Sequence, residues 1–208
     1  MLHELLSAVR IIFQEAKNSG IPCSDSLNIV DLLVDEGTRG EWNLQGLPAD
    51  ELSVENAIIV TRSDRYPLLV DPQGQAHSWL KKKEEDRMKG SRQCITTATD
   101  PRFKDKVEFC MAEGLPLLVE NLGDTVPEVL DPILEKQFIK KGKRLYVTFM
   151  DQQAEYNPSF VLYMTTKLAN PHFPPEINAK CTVIDFTVMH EGTLTEVIAA
   201  LFLKDREF

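Results

Sequence analysis

The sequence predicts an α/β fold in which helices cover both faces of a parallel β-sheet. Apolar runs of strand length recur along the chain, and amphipathic helical patterns lie between them. These runs are almost continuously apolar rather than alternating, which is typical of strands buried on both faces. Polar residues follow several of the runs directly, and sheets of this type bind ligands at the carboxyl ends of their strands.

An amphipathic helix is predicted at the start of the chain. Apolar residues recur at helical spacing up to residue 13, and a Gly-Ile-Pro run at 20–22 ends the pattern. Ser24 or Ser26 can cap a second, short helix that runs through Leu33.

Residues 35–52 contain several glycines and a proline, a composition typical of a connecting loop. We expect the apolar side chains of Trp42 and Leu44 to pack in the core. The sequence therefore predicts an N-terminal helical extension and linker over residues 1–52, followed by the α/β domain over residues 53–208.

From residue 53 onward, strand and helix patterns alternate. Residues 53–60 fit either a capped helix or a strand, because periodicity alone does not decide. Strands are predicted at 67–70, 93–97, 115–120, 160–166 and 181–188. Helices are predicted at 75–87, 101–113, 126–137 and 191–203. Two alternating runs, at 145–149 and 154–156, predict an inserted β-hairpin.

A broken copy of a phosphate-binding loop follows the strand at 67–70. The pattern G-x-x-x-x-G-K-[ST] lies between a strand and a helix. Asp71 stands at the position of the first glycine, and Gly74 lies in the turn. Ala76 replaces the second glycine, His77 replaces the lysine, and Ser78 matches the hydroxyl residue. An anionic Asp71 repels a triphosphate, and no ammonium reaches the β- and γ-phosphates. These residues indicate a nucleotide-binding fold that has lost catalysis.

A second degenerate site follows the strand at 115–120. P-loop ATPases place there one acid that holds magnesium and one that activates water. Glu120 stands at the metal-side position and Asn121 at the other, but an amide cannot accept the proton. Thr165 and Thr166 end a later strand, where a polar sensor would lie. The alternative for them is a plain strand end whose hydroxyls bond nearby backbone.

Composition excludes several classes of protein. A net charge of −9 disfavours nucleic acid and anionic membranes as general partners. The four cysteines are scattered without a C-x-x-C pair, which predicts free, mostly buried thiols in a reducing compartment and no metal site. No stretch approaches the ~20 apolar residues of a membrane span, and charged residues interrupt the N-terminus too often for a signal peptide. We expect a soluble intracellular protein.

Four segments resemble the dynein heavy chain. They read WNLQGLPADELSVENAIIVTR at 42–62, RYPLLVDPQGQA at 65–76, GLPLLVENLG at 114–123 and TTKLANPHFPPEI at 165–177. Together they resemble the fifth AAA+ module of the motor ring, just after the microtubule-binding stalk, and the resemblance covers residues 1–203. The second and fourth segments resemble axonemal more than cytoplasmic heavy chains.

The resemblance implies a P-loop NTPase-like AAA+ large subdomain with a five-stranded parallel sheet in the order 5-1-4-3-2. The small helical subdomain that follows it in the family is not expected within these 208 residues. In this family the first four modules carry the nucleotide sites, so ATP and magnesium are expected in other modules and no cofactor in this one.

The implied function is a non-catalytic ring element that relays nucleotide-driven change between the ATPase modules and the stalk and buttress. Its partners would be the neighbouring AAA+ modules and the stalk of the same heavy chain, and the microtubule through the parent protein. The implied location is the cytoskeleton of the ciliary axoneme. The alternative is a module with residual ATP or ADP affinity, because Ser78 restores a hydroxyl at the magnesium position.

The remaining polar candidates have simpler interpretations. Lys180 lies where AAA+ modules can present a cation to a neighbour's nucleotide, but lysine fits that role less well than arginine. Cys94 and Cys110 fall on apolar faces, which predicts core packing rather than nucleophilic catalysis. His172 and His190 each fall in a loop and are expected to face solvent.

Overall fold

The computed structural model describes residues 15, 18–20, 29–88, 91–150 and 152–187. The predicted helix at 191–203, nearly all of the predicted N-terminal helix, the candidate caps Ser24 and Ser26, Cys23 and His190 lie outside the described residues.

Helices and strands alternate through most of the described chain. The helices are α1 (Ile29–Leu33), α2 (Glu36–Leu44), α3 (Glu51–Arg62), α4 (Gln75–Lys83), α5 (Glu85–Met88), α6 (Phe103–Glu113), α7 (Asp131–Leu134) and α8 (Pro175–Lys180). The strands are β1 (Pro67–Val70), β2 (Ile95–Thr97), β3 (Pro116–Leu122), β4 (Phe138–Lys141), β5 (Arg144–Phe149), β6 (Gln152–Tyr156), β7 (Val161–Thr166) and β8 (Thr182–Asp185). Short 3-10 turns precede β2 and α7.

Five of the strands form a parallel sheet in the order β2-β3-β7-β1-β8. If only these five strands are numbered, from 1 to 5 in chain order, the sheet read from β8 to β2 has the order 5-1-4-3-2. Strand β7 is central, and its Met164 lies between Leu68 of β1 and Val119 of β3, all of them buried. The predicted parallel α/β sheet is confirmed, and the AAA+-like order matches the one that the resemblance implied.

The loop predicted over residues 35–52 is wrong, because two helices occupy most of it. Helix α2 begins at Asp35, whose carboxylate accepts hydrogen bonds from the backbone N–H and the hydroxyl of Thr38. Helix α3 begins in the same way at Asp50, which settles the ambiguity at 53–60 in favour of a helix. Trp42 is buried as expected, but Leu44 is 86% exposed.

The helix predicted at 126–137 is also wrong. One 3-10 turn and the four-residue α7 occupy this segment, and the chain then turns at Lys136, whose φ is +54°. Two prolines that cannot donate a backbone hydrogen bond interrupt the segment. Strand β4 follows, so the predicted hairpin is the second half of a three-stranded antiparallel sheet, β4-β5-β6.

The core is continuous between the sheet and its helices. Trp79 of α4 is fully buried, with Trp42 of α2 packed against it edge-on at 5.9 Å and Phe186 at 6.5 Å. Cys94, Cys110 and Cys181 are free and buried, as predicted. Burial raises the pKa of Cys110 to about 12 and that of Cys181 to about 11, so neither thiol has the thiolate character of a nucleophile.

Candidate functional site

The predicted site residues meet at the carboxyl edge of the parallel sheet. Asp71 to Gly74 form the turn that leaves β1, and α4 begins immediately after it. The backbone N–H of Asp71 donates to the carbonyl of Thr166 at 2.9 Å, which ties the exit of β1 to the end of β7. Glu120 lies near the end of β3 on the other side of β7. The fold therefore brings the loop, the acidic position and the strand-end threonines together.

Gly74 gives the loop its turn. Its φ is +75°, in the left-handed region that glycine adopts without strain, and its N–H donates to the carbonyl of Asp71 at 3.3 Å. A Cβ built on Gly74 would meet no atom within 4 Å, so the backbone conformation rather than space requires glycine here. Ala76, two residues further along the chain, is fully buried.

The carboxylate of Asp71 occupies the place where an anion would bind. Its Oδ1 accepts the backbone N–H of Gln75 at 2.9 Å, and its Oδ2 accepts that of His77 at 2.8 Å. Asp71 is only 2% exposed. The N–H groups in the first turn of such a helix bind phosphate in nucleotide-binding folds. The sequence predicted that Asp71 would repel a triphosphate. The structure adds that Asp71 occupies two of the N–H groups that would bind a phosphate.

Glu120 lies against two side chains of α4. Its Oε1 lies 3.1 Å from Nε2 of His77 and 3.1 Å from Nζ of Lys81. Burial and the positive charge of Lys81 lower the pKa of His77 more than the nearby carboxylates raise it. His77 is therefore neutral at pH 7, and Lys81 supplies the positive charge beside Glu120.

Lys81 is the site residue that sequence reasoning missed. It belongs to a run of three lysines at 81–83, a pattern typical of the solvated face of a helix. The signal that could have identified it is its spacing from His77, since residues four apart lie on the same face of a helix.

Asn121 lies in an irregular part of β3. Its φ is +55°, and the register between β3 and β7 shifts between Val119 and Leu122. The side chain of Asn121 is exposed. The residue at the water-activating position is thus an amide in a bulge, without an acidic group to serve as general base.

The hydroxyls of Ser78 and Thr166 at the candidate site bond to backbone. Ser78 donates to the carbonyl of Gly74 at 2.7 Å, within its own helix. Thr166 is fully buried, and its hydroxyl accepts the N–H of Leu168 at 3.2 Å. Thr165 is buried beside Leu69 in the ladder between β7 and β1. The hydrogen bond of Thr166 favours the strand-end interpretation of this residue.

The other candidates lie apart from this edge. Lys180 precedes β8 at the amino edge of the parallel sheet, and its Nζ lies 2.8 Å from Asp131 and 3.0 Å from Glu135. Hydrogen bonds to these two carboxylates raise the pKa of Lys180, which supports its structural interpretation. His172 is exposed, as expected.

Within the described ranges, no group of three or more histidine, cysteine or acidic side chains could hold a metal ion. The helices of the same ranges include none with the length and apolar character needed to cross a bilayer.

Comparison with known proteins gives one consistent result. The family model of the ATP-binding dynein motor region matches residues 40–207. The chain is 43% identical over 199 residues, 95% of its length, to the dynein gamma chain of the flagellar outer arm from Chlamydomonas reinhardtii. It is 42% identical over 193 residues, 93% of its length, to dynein axonemal heavy chain 8 from Mus musculus. The chain spans only 4% of the length of each of these relatives.

Proposed function

Because the chain belongs to the family of ATP-binding dynein motor regions, we propose that it is a non-catalytic module of an axonemal dynein heavy chain. In this proposal it is the fifth AAA+ module of the ring, and residues 53–208 form its large subdomain. It binds no nucleotide and relays rearrangement between the ATPase modules and the stalk and buttress. The names of the relatives support the axonemal assignment.

The observation that carries the non-catalytic role is the bonding of Asp71. A nucleotide phosphate needs the N–H groups at the start of α4, and two of these already donate to a buried carboxylate. Hydrogen bonds to a charged group are stronger than those between neutral groups. A phosphate would have to break both bonds and move Asp71 without the lysine that normally attracts it.

The relay role is supported by the anchoring of α4 at both of its ends. Its first turn is bonded to Asp71, and Glu84 follows its last turn. The carboxylate of Glu84 accepts the hydroxyl of Tyr163 of β7 at 2.8 Å and Nη1 of Arg87 at 3.0 Å. Helix α4 is thus bonded near both edges of the sheet, which supports the transmission of a displacement from one edge to the other.

The whole-protein role follows from the same proposal. The parent chain would be a microtubule motor ATPase of the ciliary axoneme, with ATP and magnesium in other modules. The immediate partners of this module would be the neighbouring modules, the stalk and the buttress of the same heavy chain.

Nucleotide titration tests the non-catalytic proposal. We expect isothermal titration of the 208-residue chain with MgATP or MgADP to give no heat of binding, and neither nucleotide to raise its melting temperature. A micromolar Kd would contradict the proposal and favour the alternative of a weak nucleotide-binding module, for which the hydroxyl of Ser78 is the relevant residue.

A restored loop provides the matched positive control. The triple variant D71G/A76G/H77K removes the internal carboxylate and supplies both glycines and the lysine of the phosphate-binding pattern. We expect this variant to gain a melting-temperature increase with MgATP that the natural chain lacks. If neither protein responds, features beyond these three positions prevent binding. If both respond equally, the proposed role of Asp71 is wrong.

A further inference from the structure

A cavity opens at the amino edge of the parallel sheet, opposite Asp71. It has a volume of about 530 Å³ and lies where β1 and β7 begin. The C-terminal ends of α3 and α4 bound it on one side, and the β4-β5-β6 sheet bounds it on the other. We call it the amino-edge cavity. Binding sites in proteins are typically pockets of about this size, and this one is lined by both aromatic and charged side chains.

The walls of the amino-edge cavity are a preformed aromatic cluster. Phe138 and Tyr156 pack with their ring centroids 4.2 Å apart, and Phe160 contacts both Tyr156 and Tyr66 edge-on, at 6.0 and 6.3 Å. The hydroxyls of Tyr66 and Tyr156 are 2.9 Å apart. Because these contacts hold the rings in place, an incoming apolar side chain would meet a rigid surface.

The lining of the cavity includes four cations, Arg65, Lys83, Arg87 and Lys136, and two carboxylates, Asp64 and Glu84. Glu84 pairs with Lys83 and Arg87, whereas Arg65 and Lys136 form no ion pair within the described part of the chain. Arg65 donates to the carbonyl of Asn178 at 3.2 Å, and Lys136 donates to the carbonyl of Asp64 at 2.5 Å, but neither has an ion-pair partner there. Lys140 lies on the same face of β4 as Phe138 and directly opposite Leu145, which lines the cavity. It too lacks an acidic partner among the described residues. A local excess of positive charge in a chain of net charge −9 indicates a surface for an anionic partner.

A second cavity, also of about 530 Å³, adjoins the first and shares Asp64, Arg65 and Lys136 with it. Glu135 and Glu176 line this second cavity. The depression therefore continues beyond the first cavity, and it changes from cationic to mixed charge along its length. This shape and polarity suit an extended chain better than a single small molecule.

We propose that the amino-edge cavity binds an acidic polypeptide segment. The segment lays an aromatic or aliphatic side chain against the partly exposed ring of Phe138 and places its carboxylates against Arg65, Lys136 and Lys140. A nucleic acid fits less well, because the carboxylates of the second cavity and the acidic remainder of the chain repel a continuous run of phosphates.

A labelled probe peptide tests this directly. The probe is a fluorescein-labelled synthetic peptide of glutamates around a single tryptophan, and its binding to the 208-residue chain is followed by fluorescence anisotropy. We expect saturable binding that the charge-reversal variant K136E/K140E weakens roughly tenfold or more. The matched control K82E/K167E reverses two exposed lysines away from the cavity and should bind as tightly as the natural chain.

Two further measurements separate a built site from general attraction between charges. Thr61 lines the cavity and is exposed, so T61W should fill its mouth and weaken binding without changing the net charge. A peptide of glutamates alone should bind more weakly than the peptide that contains tryptophan. The proposal is overturned if T61W has no effect, if K82E/K167E weakens binding as much as K136E/K140E, or if a single-stranded oligonucleotide binds as tightly as the peptide. Circular dichroism of each variant verifies that it is folded.

Discussion

Two carboxylates lie at opposite ends of α4, and both are only 2% exposed. At the carboxyl edge, Asp71 is bonded by backbone N–H groups four and six residues further along the chain. At the amino edge, Glu84 is bonded by side chains, including the hydroxyl of Tyr163, which is 79 positions away. A buried charge satisfied by local backbone depends on a short motif, whereas one satisfied by distant side chains depends on the whole fold.

The surroundings of Glu84 decide its ionisation. Burial opposes the charged form, but the hydrogen bond and charge of Lys83, the hydroxyl of Tyr163 and the charge of Arg87 outweigh it, so the pKa of Glu84 is lowered. Nη2 of Arg87 also donates to the carbonyl of Ser159 at 2.6 Å, which fixes the loop before β7. This network joins α4, α5 and β7 at the amino edge.

The largest effect is expected from Glu84→Ala. The substitution leaves Lys83, Arg87 and Tyr163 without their shared acceptor, and breaking such a buried network costs about 3 kcal/mol. Urea denaturation should show this loss in the free energy of unfolding. Glu85→Ala, which removes an exposed carboxylate next in sequence, should change stability by less than about 0.5 kcal/mol. Equal effects of the two substitutions would mean that the network at the amino edge contributes little.

A smaller loss is expected from Asp71→Ala. Two N–H groups at the start of α4 would lose their acceptor, at a cost of about 2 kcal/mol. Asp50→Ala provides the comparison, since Asp50 caps α3 through one N–H in a more exposed position and its loss should cost about 1 kcal/mol. If Asp71→Ala were the less costly of the two in urea denaturation, the carboxylate of Asp71 would not be the main support of its loop.

The smallest effect is a difference in pH dependence between the two edges. The pKa of His77 is lowered from 6.5, so the unfolded chain binds the proton more readily than the folded chain. The stability that neutral His77 provides is complete above pH 6.5 and is lost as the pH falls from there through the folded pKa. The lowered pKa of Glu84 acts in a separate window, since its contribution is complete above its unfolded value of 4.5 and is lost at more acidic pH.

Thermal denaturation at several pH values checks this separation. The natural chain should lose stability between pH 7 and pH 5.5 more steeply than His77→Gln. An unchanged slope in His77→Gln would show that His77 does not titrate differently in the folded and unfolded states.

The parallel sheet was predictable because its strands are apolar runs with clear ends. Strand β1 agrees with its predicted bounds, and β7 differs by one residue. The helices were less predictable, because a single cap or proline decided whether a helix forms where the residue composition indicated otherwise. The cap formed by Asp35 supports α2 despite its two glycines, and two prolines stop the helix expected near residue 130.

The candidate site was predictable in position but not in its bonding. The phosphate-loop frame placed Asp71 and His77, and the acidic motif placed Glu120, after two strands whose carboxyl ends lie at the same edge of the sheet. These patterns could not indicate that Asp71 turns inward onto backbone N–H groups, or that Lys81 reaches Glu120, because both depend on how the turn and α4 lie against β3. The partners of Glu84 come from elements far apart in sequence, and no local pattern identifies them.

Asp71 belongs to the same chain as the two backbone N–H groups that it binds. A tethered group acts at an effective local concentration of roughly millimolar or above, which does not change when the solution is diluted or enriched. A free anion therefore competes for these N–H groups with a carboxylate whose effective concentration is constant. We therefore expect the conformation of this loop to be the same at low and at high concentrations of free nucleotide.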